Sequence, residues 1–177
     1  MISENEYNKE DQLASTSIIV FKVDGEEFAI DLLNAREIIK QGQIRRLPQT
    51  SEFIEGIYNY RGDIIHIINL SKKLELHKYK NYLSKVEEET TDSEEKHIII
   101  VSINGVNTGV LVDQIKNISH LKAKVIVELN PLLKASNKLE YIKGIAKFKD
   151  RPRLILDLNK ILTEAEQAKL QQDVSNQ

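Results

Sequence analysis

Short apolar runs separated by turn residues recur along the chain and predict β-hairpins. The first pair of runs occupies residues 17–31, with Asp24-Gly25 between them. An Asp-Gly pair between β-branched and aromatic residues is typical of a type I′ turn, because both central positions need a positive φ. We therefore predict two antiparallel strands joined at Asp24-Gly25.

The next apolar runs predict a third strand position and a second hairpin. Residues 35–40 fit either a strand or a short helix, and Pro48 ends that element. Residues 54–70 predict two strands around a turn at Arg61-Gly62-Asp63, where glycine supplies a positive φ. Ser71 is then predicted to cap a short helix.

A third hairpin follows a segment of very different character. Residues 97–113 predict two strands around Asn104-Gly105, which is another turn signal. Residues 77–96 are acidic, rich in Ser and Thr, and offer no core face, so we expect a mobile acidic linker. Residues 1–16 also lack an apolar period, and we expect a flexible leader there.

The chain contains an internal repeat. Residues 17–25 align with residues 97–105 at an offset of 80, and residues 53–74 align with residues 141–162 at an offset of 88. Seven of the 22 positions in the second alignment are identical, including Gly56. The sequence therefore predicts two tandem units of similar structure.

These units are too small to bury a large core alone, and open sheets of this size expose their edges. Closure into barrels removes the edges. We predict an all-β fold of two tandem five-stranded, SH3-like β-barrels packed together, with short helices and a C-terminal helix. The predicted domain spans residues 17–165, with one barrel formed by about 17–76 plus the C-terminal segment and the other by 97–157. Residues 158–177 form a helical tail, in which Thr163 and Glu166 match a capping box.

Composition places the chain among globular proteins of the cytoplasm. Of its 177 residues, 41% are hydrophobic and none is cysteine, which removes disulfides and thiolate metal sites. No apolar run reaches the length of a membrane helix, so direct membrane insertion is not expected, and the polar start is unlike a secretory signal. Residues 1–16 carry a net charge of −3 and residues 84–96 carry −4, which leaves only +5 on the remainder. That mild charge does not favour nucleic-acid binding.

The sequence offers little chemistry for catalysis. It contains no glycine-rich phosphate loop and no nucleophile or zinc-protease motif. The four histidines are never at ligand spacing, and the carboxylates near the strands fit solvated turns. We expect no enzyme activity, no cofactor and no metal.

One stretch, residues 56–70, carries a different signal. Two glycines, Gly56 and Gly62, bracket Asn59 and Arg61 in this stretch, and a guanidinium rich in donors is a good anchor for a protein partner. The same arginine also fits an ordinary solvated turn, and the residues alone leave both interpretations open.

Several separated blocks together resemble the CheW family of bacterial chemotaxis adaptor proteins. The most specific is Phe53-Ile-Glu-Gly-Ile-Tyr-Asn-Tyr-Arg-Gly, which is similar to the family element F-I-x-G-x-x-N-x-R-G. The others begin at Phe21, Ala35, Ile44, Gly109 and Tyr141, and keep the family's order and spacing. The resemblance spans about residues 17–165.

The resemblance implies a fold of two packed five-stranded barrels and a role without catalysis. Such adaptors couple the cytoplasmic tip of methyl-accepting chemoreceptors to the histidine kinase CheA, through its regulatory domain. They form rings with the kinase beneath receptor arrays, and other CheW copies are further expected partners in these rings. We therefore expect a cytoplasmic scaffold recruited to membrane-associated arrays, whose groove between the barrels receives the receptor's helical hairpin.

Matching positions imply two sets of contact residues. The receptor set comprises Glu37, Gly56, Asn59, Arg61 and Gly62, with Ile38, Ile57 and Ile99 as apolar neighbours. The kinase set comprises Ile44, Leu47 and Pro48 at a barrel end.

The sequence also departs from the family pattern. His66 stands where the family usually has proline, Asn69 replaces aspartate and Tyr60 replaces leucine, which bears on partner choice. Two alternative functions remain open at this point: an assembly module derived from a CheA-type kinase, and a small-barrel nucleic-acid-binding protein.

Overall fold

The structure is a computed structural model that describes residues 15–78, 95–122, 125–135 and 139–175. The predicted leader and the predicted acidic linker fall largely outside these residues. Eleven strands are described: β1 (Ser15–Val23), β2 (Glu26–Asp31), β3 (Ala35–Lys40), β4 (Ile54–Tyr60), β5 (Asp63–Asn69), β6 (His97–Ile103), β7 (Val106–Val112), β8 (Gln114–Lys122), β9 (Ile126–Val127), β10 (Ile142–Ala146) and β11 (Arg153–Leu156).

Short helices complete the fold. They are α1 (Leu70–Lys73), α2 (Pro131–Lys134) and α3 (Glu164–Ser175), with 3₁₀ turns at Leu32–Asn34 and Leu158–Lys160. Among the described residues, none of these helices is both long and apolar enough to cross a membrane.

The strands form two sheets. Each sheet closes into a barrel because the segment that leaves one edge strand pairs at the opposite edge. Barrel 1 has the strand order β8-β1-β2-β11-β10-β9, and barrel 2 has the order β3-β6-β7-β5-β4. In barrel 2 the chain leaves edge strand β3 and pairs through Arg45 with Ile57 on the opposite edge strand β4. In barrel 1 it leaves β8 and pairs as β9 with β10. The predicted all-β fold with two barrel-like units is confirmed, with six strands in one unit instead of five.

The predicted division of the chain between the barrels was wrong. Barrel 1 combines the β1–β2 hairpin with strands after residue 113, whereas barrel 2 combines β3–β5 with the β6–β7 hairpin. The parallel pairs β2–β11 and β5–β7 join these distant pieces. Each repeat therefore gives its first hairpin to one barrel and its second hairpin to the other. Local patterning does not reveal this exchange, because either pairing buries the same residues.

The repeat itself is present in detail. Strand β4 has its bulge between Ile54 and Gly56, and β10 has its bulge between Ile142 and Gly144, 88 residues later. The Phe53 carbonyl accepts from the Asn69 amide at 2.7 Å, and the Tyr141 carbonyl accepts from the Asp157 amide at the same distance.

Three apolar clusters hold the molecule together, and one of them is shared. Strand β1 directs Ile18 and Val20 into barrel 1, while Ile19 and Phe21 point into a core that lies between the barrels. Strand β6 behaves in the same way, with Ile98 and Ile100 inside barrel 2. Because both faces of these strands are buried, their sequences are continuous apolar runs rather than alternating ones.

Three smaller predictions have clear outcomes. Residues 35–40 form a strand rather than a helix. Helix α1 is capped by Asn69, whose side chain accepts from the Lys72 amide, and not by Ser71. The capping box at the start of α3 is confirmed, because Thr163 and Glu166 each donate a backbone N–H to the other's side chain.

Candidate functional site

The predicted receptor residues gather where the two edges of barrel 2 meet. Glu37 lies on edge strand β3, and its Oε2 atom accepts hydrogen bonds from Tyr60 Oη at 2.7 Å and from Arg61 Nη2 at 2.9 Å. Tyr60 ends the opposite edge strand β4, and Arg61 follows it. The Arg61 guanidinium also lies 5.5 Å from the centroid of the Tyr60 ring. We call Glu37, Tyr60 and Arg61 the seam cluster.

The charges of the seam cluster are matched but open to solvent. The hydrogen bond from Tyr60, together with the nearby Arg61 charge, holds the pKa of Glu37 below its ordinary value. The same hydrogen bond raises the pKa of the Tyr60 hydroxyl. The Arg61 side chain is 73% exposed, so most of its donors face solvent. The cluster thus presents a fixed cation that can bond to a second acceptor.

A tight turn fixes the position of Arg61. Arg61 has a φ of 54° and Gly62 a φ of 93°, which is the conformation of a two-residue hairpin turn. The Asn59 side chain accepts from the Gly62 amide at 2.9 Å and so braces the turn. Asn59 and Gly62 therefore shape the support on which Arg61 stands.

Gly56 has a role in barrel closure. Its φ of +152° disfavours any side chain, and a Cβ there would collide with the Arg45 carbonyl. Next to it, the Ile57 backbone exchanges two hydrogen bonds with Arg45, at 2.8 and 2.9 Å. Gly56 thus lets the chain after β3 reach β4, while the half-buried Ile57 side chain lies beside the seam.

The two remaining apolar candidates have unequal positions. Ile38 and Ile99 are paired across β3 and β6, yet Ile38 is half-buried whereas Ile99 is fully buried in the shared core. The side chain of Ile99 therefore does not reach the surface, and its assignment as a contact residue is corrected to a supporting role. Residues 98–101 are all apolar, so the sequence shows no alternation of polar and apolar residues that could distinguish exposed from buried positions.

The predicted kinase residues lie on the chain between β3 and β4. Ile44 is partly buried against the apolar cluster inside barrel 2, as are Tyr58 and Tyr60. Leu47 is half-buried and its carbonyl accepts from Thr50 at 3.2 Å, while Pro48 is exposed. These three residues lie on the same connection of barrel 2.

Sequence reasoning missed two contributors to the site. Tyr60 was noted as a departure from the family, but its hydroxyl is the first partner of Glu37. Ile64, opposite Asn59 on β5, keeps 37% of its surface exposed and adds an apolar contact beside the turn. The sequence alone did not indicate either residue, because both contacts depend on which strands are paired.

The described residues contain no group of three or more histidine, cysteine, aspartate or glutamate side chains placed to hold a metal ion. What the seam cluster and its neighbours supply is directional hydrogen bonding flanked by aliphatic surface. That combination is typical of a protein contact.

Comparison with known proteins gives a consistent result. A family model described as a CheW-like domain matches residues 17–166. The chain is 26% identical to the chemotaxis protein CheW of Treponema pallidum over 86% of this chain and 85% of the relative. It is 30% identical to the CheW of Helicobacter pylori over 87% and 86% of the two chains. The crystal structure of the scaffolding protein TtCheW from Thermoanaerobacter tengcongensis matches with a TM-score of 0.69 and 28% identity, covering 85% of this chain and 90% of that one.

Proposed function

The chain belongs to the CheW-like domain family, and from that premise we propose that it is a chemotaxis scaffold that couples receptors to a histidine kinase. The receptor partner in this proposal is the cytoplasmic tip of methyl-accepting chemoreceptors. The kinase partner is CheA, through its regulatory domain, with other CheW copies as further neighbours in rings. The protein acts in the cytoplasm and is recruited to receptor arrays.

One observation carries the receptor half of the proposal. The Arg61 guanidinium is fixed by Glu37 and by a braced turn, yet its side chain is 73% exposed. Because little side-chain freedom remains to be lost, such a cation binds a partner acceptor at a low entropic cost. Ile57 and Ile64 supply aliphatic surface on the hairpin that carries Arg61, and the half-buried Ile38 follows Glu37 on β3. This surface suits the apolar seam and polar flanks of a helical hairpin.

The kinase half depends on the connection between β3 and β4. In this proposal Ile44, Leu47 and Pro48 on that connection contact the kinase, while Arg61 of the seam cluster contacts the receptor. Signalling through such a scaffold is a shift in the populations of assembled states and needs no reaction within this chain. We accordingly propose that the protein is not an enzyme.

The comparisons do not favour the two alternatives. Relatives that match along most of their own length are chemotaxis proteins named CheW, and neither a detached kinase module nor a nucleic-acid-binding barrel gains support from the site.

A binding measurement with a matched control tests the receptor contact. Arg61→Ala is expected to weaken binding to a purified receptor tip, whereas Lys149→Ala is not. Lys149 is the exposed repeat counterpart of Arg61 on barrel 1. Equal affinities for wild type and Arg61→Ala would remove Arg61 from the receptor site.

A further inference from the structure

His66 is a buried titratable group that the proposed contacts do not use. It lies on β5 with 4% of its surface exposed, and Thr108 beside it on β7 is similarly buried. No described group forms a hydrogen bond with its Nε2 atom. Buried imidazole nitrogens normally have a hydrogen-bond partner, so the environment of this atom is unusual.

Helix α3 covers this histidine. A small cavity beside the ring is lined by Gln167, Leu170 and Gln171 of α3, by Thr108, and by the residues Ile103, Val106 and Leu162. The Asp173 carboxylate, near the end of the helix, has its Oδ2 atom 4.0 Å from His66 Nε2. On the neighbouring strand β4, the residue paired with His66 is Ile57, so helix α3 borders the candidate receptor site.

The two halves of α3 are held very differently. At its start, the capping box joins Thr163 to Glu166, and Lys73 Nζ bonds both oxygens of Glu166 at 2.7 and 2.8 Å. In the second half, Leu170 packs on the shared core. Ala165 and Ala168 are exposed. The described side-chain contacts of the C-terminal half include those of Leu170 with the shared core and of Gln171 and Asp173 around His66.

We propose that the C-terminal half of α3 is a hinged cover that lifts from barrel 2 when His66 is protonated. Lifting the helix end brings water to the ring while the anchored start of the helix stays in place. Among the described residues that face the ring, Asp173 on α3 is the charged group, and Thr108, Gln167 and Gln171 are neutral.

The electrostatics give the direction of this response. Burial lowers the pKa of His66, and the Asp173 charge opposes that shift only in part. The closed state binds a proton at His66 less readily than the open state does, because its histidine pKa is lowered. Above about pH 6.5, the ordinary pKa of histidine, both states are neutral and the closed state keeps its full stability. As the pH falls below that value, the open state gains the proton first and the closed state loses relative stability. Acidification therefore favours the open helix.

Hydrogen exchange of the α3 amides tests the proposal on the full chain. Between pH 7.5 and 5.5, after correction for intrinsic exchange, protection across residues 164–175 is expected to fall by up to about tenfold. His66→Phe should abolish this dependence, and the exposed control His120→Gln should retain it. Unchanged protection in the wild type, or the same fall in His66→Phe, would overturn the proposal.

If His66→Phe does not fold, ring titration by NMR in the wild type decides the matter. A midpoint for His66 below about 6.5, moving together with the loss of α3 protection, supports the cover. A midpoint at or above that value contradicts it.

Discussion

Gly56 and Gly144 occupy equivalent positions in the two barrels, each at the bulge of the strand that pairs with the segment closing the barrel. The two sites differ in tolerance. A Cβ at Gly56 would collide with the Arg45 carbonyl, whereas one at Gly144 would lie 3.1 Å from the Val127 carbonyl. Of these two glycines, only Gly56 has a positive φ, at +152°.

Alanine at these two positions should therefore have unequal effects on stability. Gly56→Ala is expected to lower the free energy of unfolding by at least about 1–3 kcal/mol, from the backbone conformation alone. Gly144→Ala should cost less, because a small shift of one neighbour relieves it. Urea unfolding followed by circular dichroism measures both, and equal losses would contradict the assignment of Gly56 as the tighter closure point.

Arg61→Ala should leave the melting temperature nearly unchanged. Its ion pair with Glu37 is exposed, and exposed pairs contribute little to stability. Thermal unfolding of this variant beside Lys149→Ala makes the measurement. A large loss of melting temperature confined to Arg61→Ala would return the arginine to a structural role.

The titration of Glu37 should depend more on Tyr60 than on Arg61. The hydrogen bond from Tyr60 is the largest single cause that lowers the pKa of Glu37, and the Arg61 charge and hydrogen bond add to it. Tyr60→Phe should therefore move the carboxylate midpoint up toward 4.5. Because the pKa of Glu37 is lowered in the folded state, its contribution to stability is present above the unfolded value and is lost as the pH falls through the folded one. Carboxyl NMR titration of Tyr60→Phe and Arg61→Ala ranks the two, and a larger upward shift in Arg61→Ala would reverse the order.

Removing the cap of α3 should loosen the helix without unfolding the barrels. Thr163→Ala deletes the side-chain acceptor for the Glu166 amide, a change that costs about 1 kcal/mol of helix stability. Glu166→Gln retains much of the cap and loses the ion pair with Lys73. Hydrogen exchange should report faster opening of α3 in Thr163→Ala, with the β6 amides unaffected; uniform acceleration in both elements would contradict a separately opening helix.

A conservative change at Ile99 separates support from contact. Ile99→Val is expected to cost about 0.5–1.5 kcal/mol of stability, because it removes a methylene from a fully buried side chain. Receptor affinity per folded molecule should stay at the wild-type value. A loss of affinity with full stability would restore Ile99 to the contact surface.

The local features of this fold were predictable because they depend on a few neighbouring residues. Asp24-Gly25 and Asn104-Gly105 adopt positive φ at both positions, as their hairpin turns require. The repeat at offset 88 also survives as paired bulges and matching backbone hydrogen bonds.

The features that the sequence did not reveal are those decided by long-range pairing. The exchange of hairpins between repeats rests on the parallel pairs β2–β11 and β5–β7, and each joins strands far apart in sequence. The burial of Ile99 was hidden for a related reason, since a strand covered on both faces has no alternation to read. The contact of Tyr60 with Glu37 likewise depends on the approach of β4 to β3 in the folded barrel.

Phosphotransfer in a reconstituted system tests the central claim most directly. Receptor tips, the kinase CheA and this protein are mixed, and kinase activity is followed as the scaffold is added. The account predicts that wild type and Lys149→Ala place the kinase under receptor control, while Arg61→Ala, though folded, does so much less. Kinase activity that stays the same whether or not the folded wild-type protein is present would contradict the account.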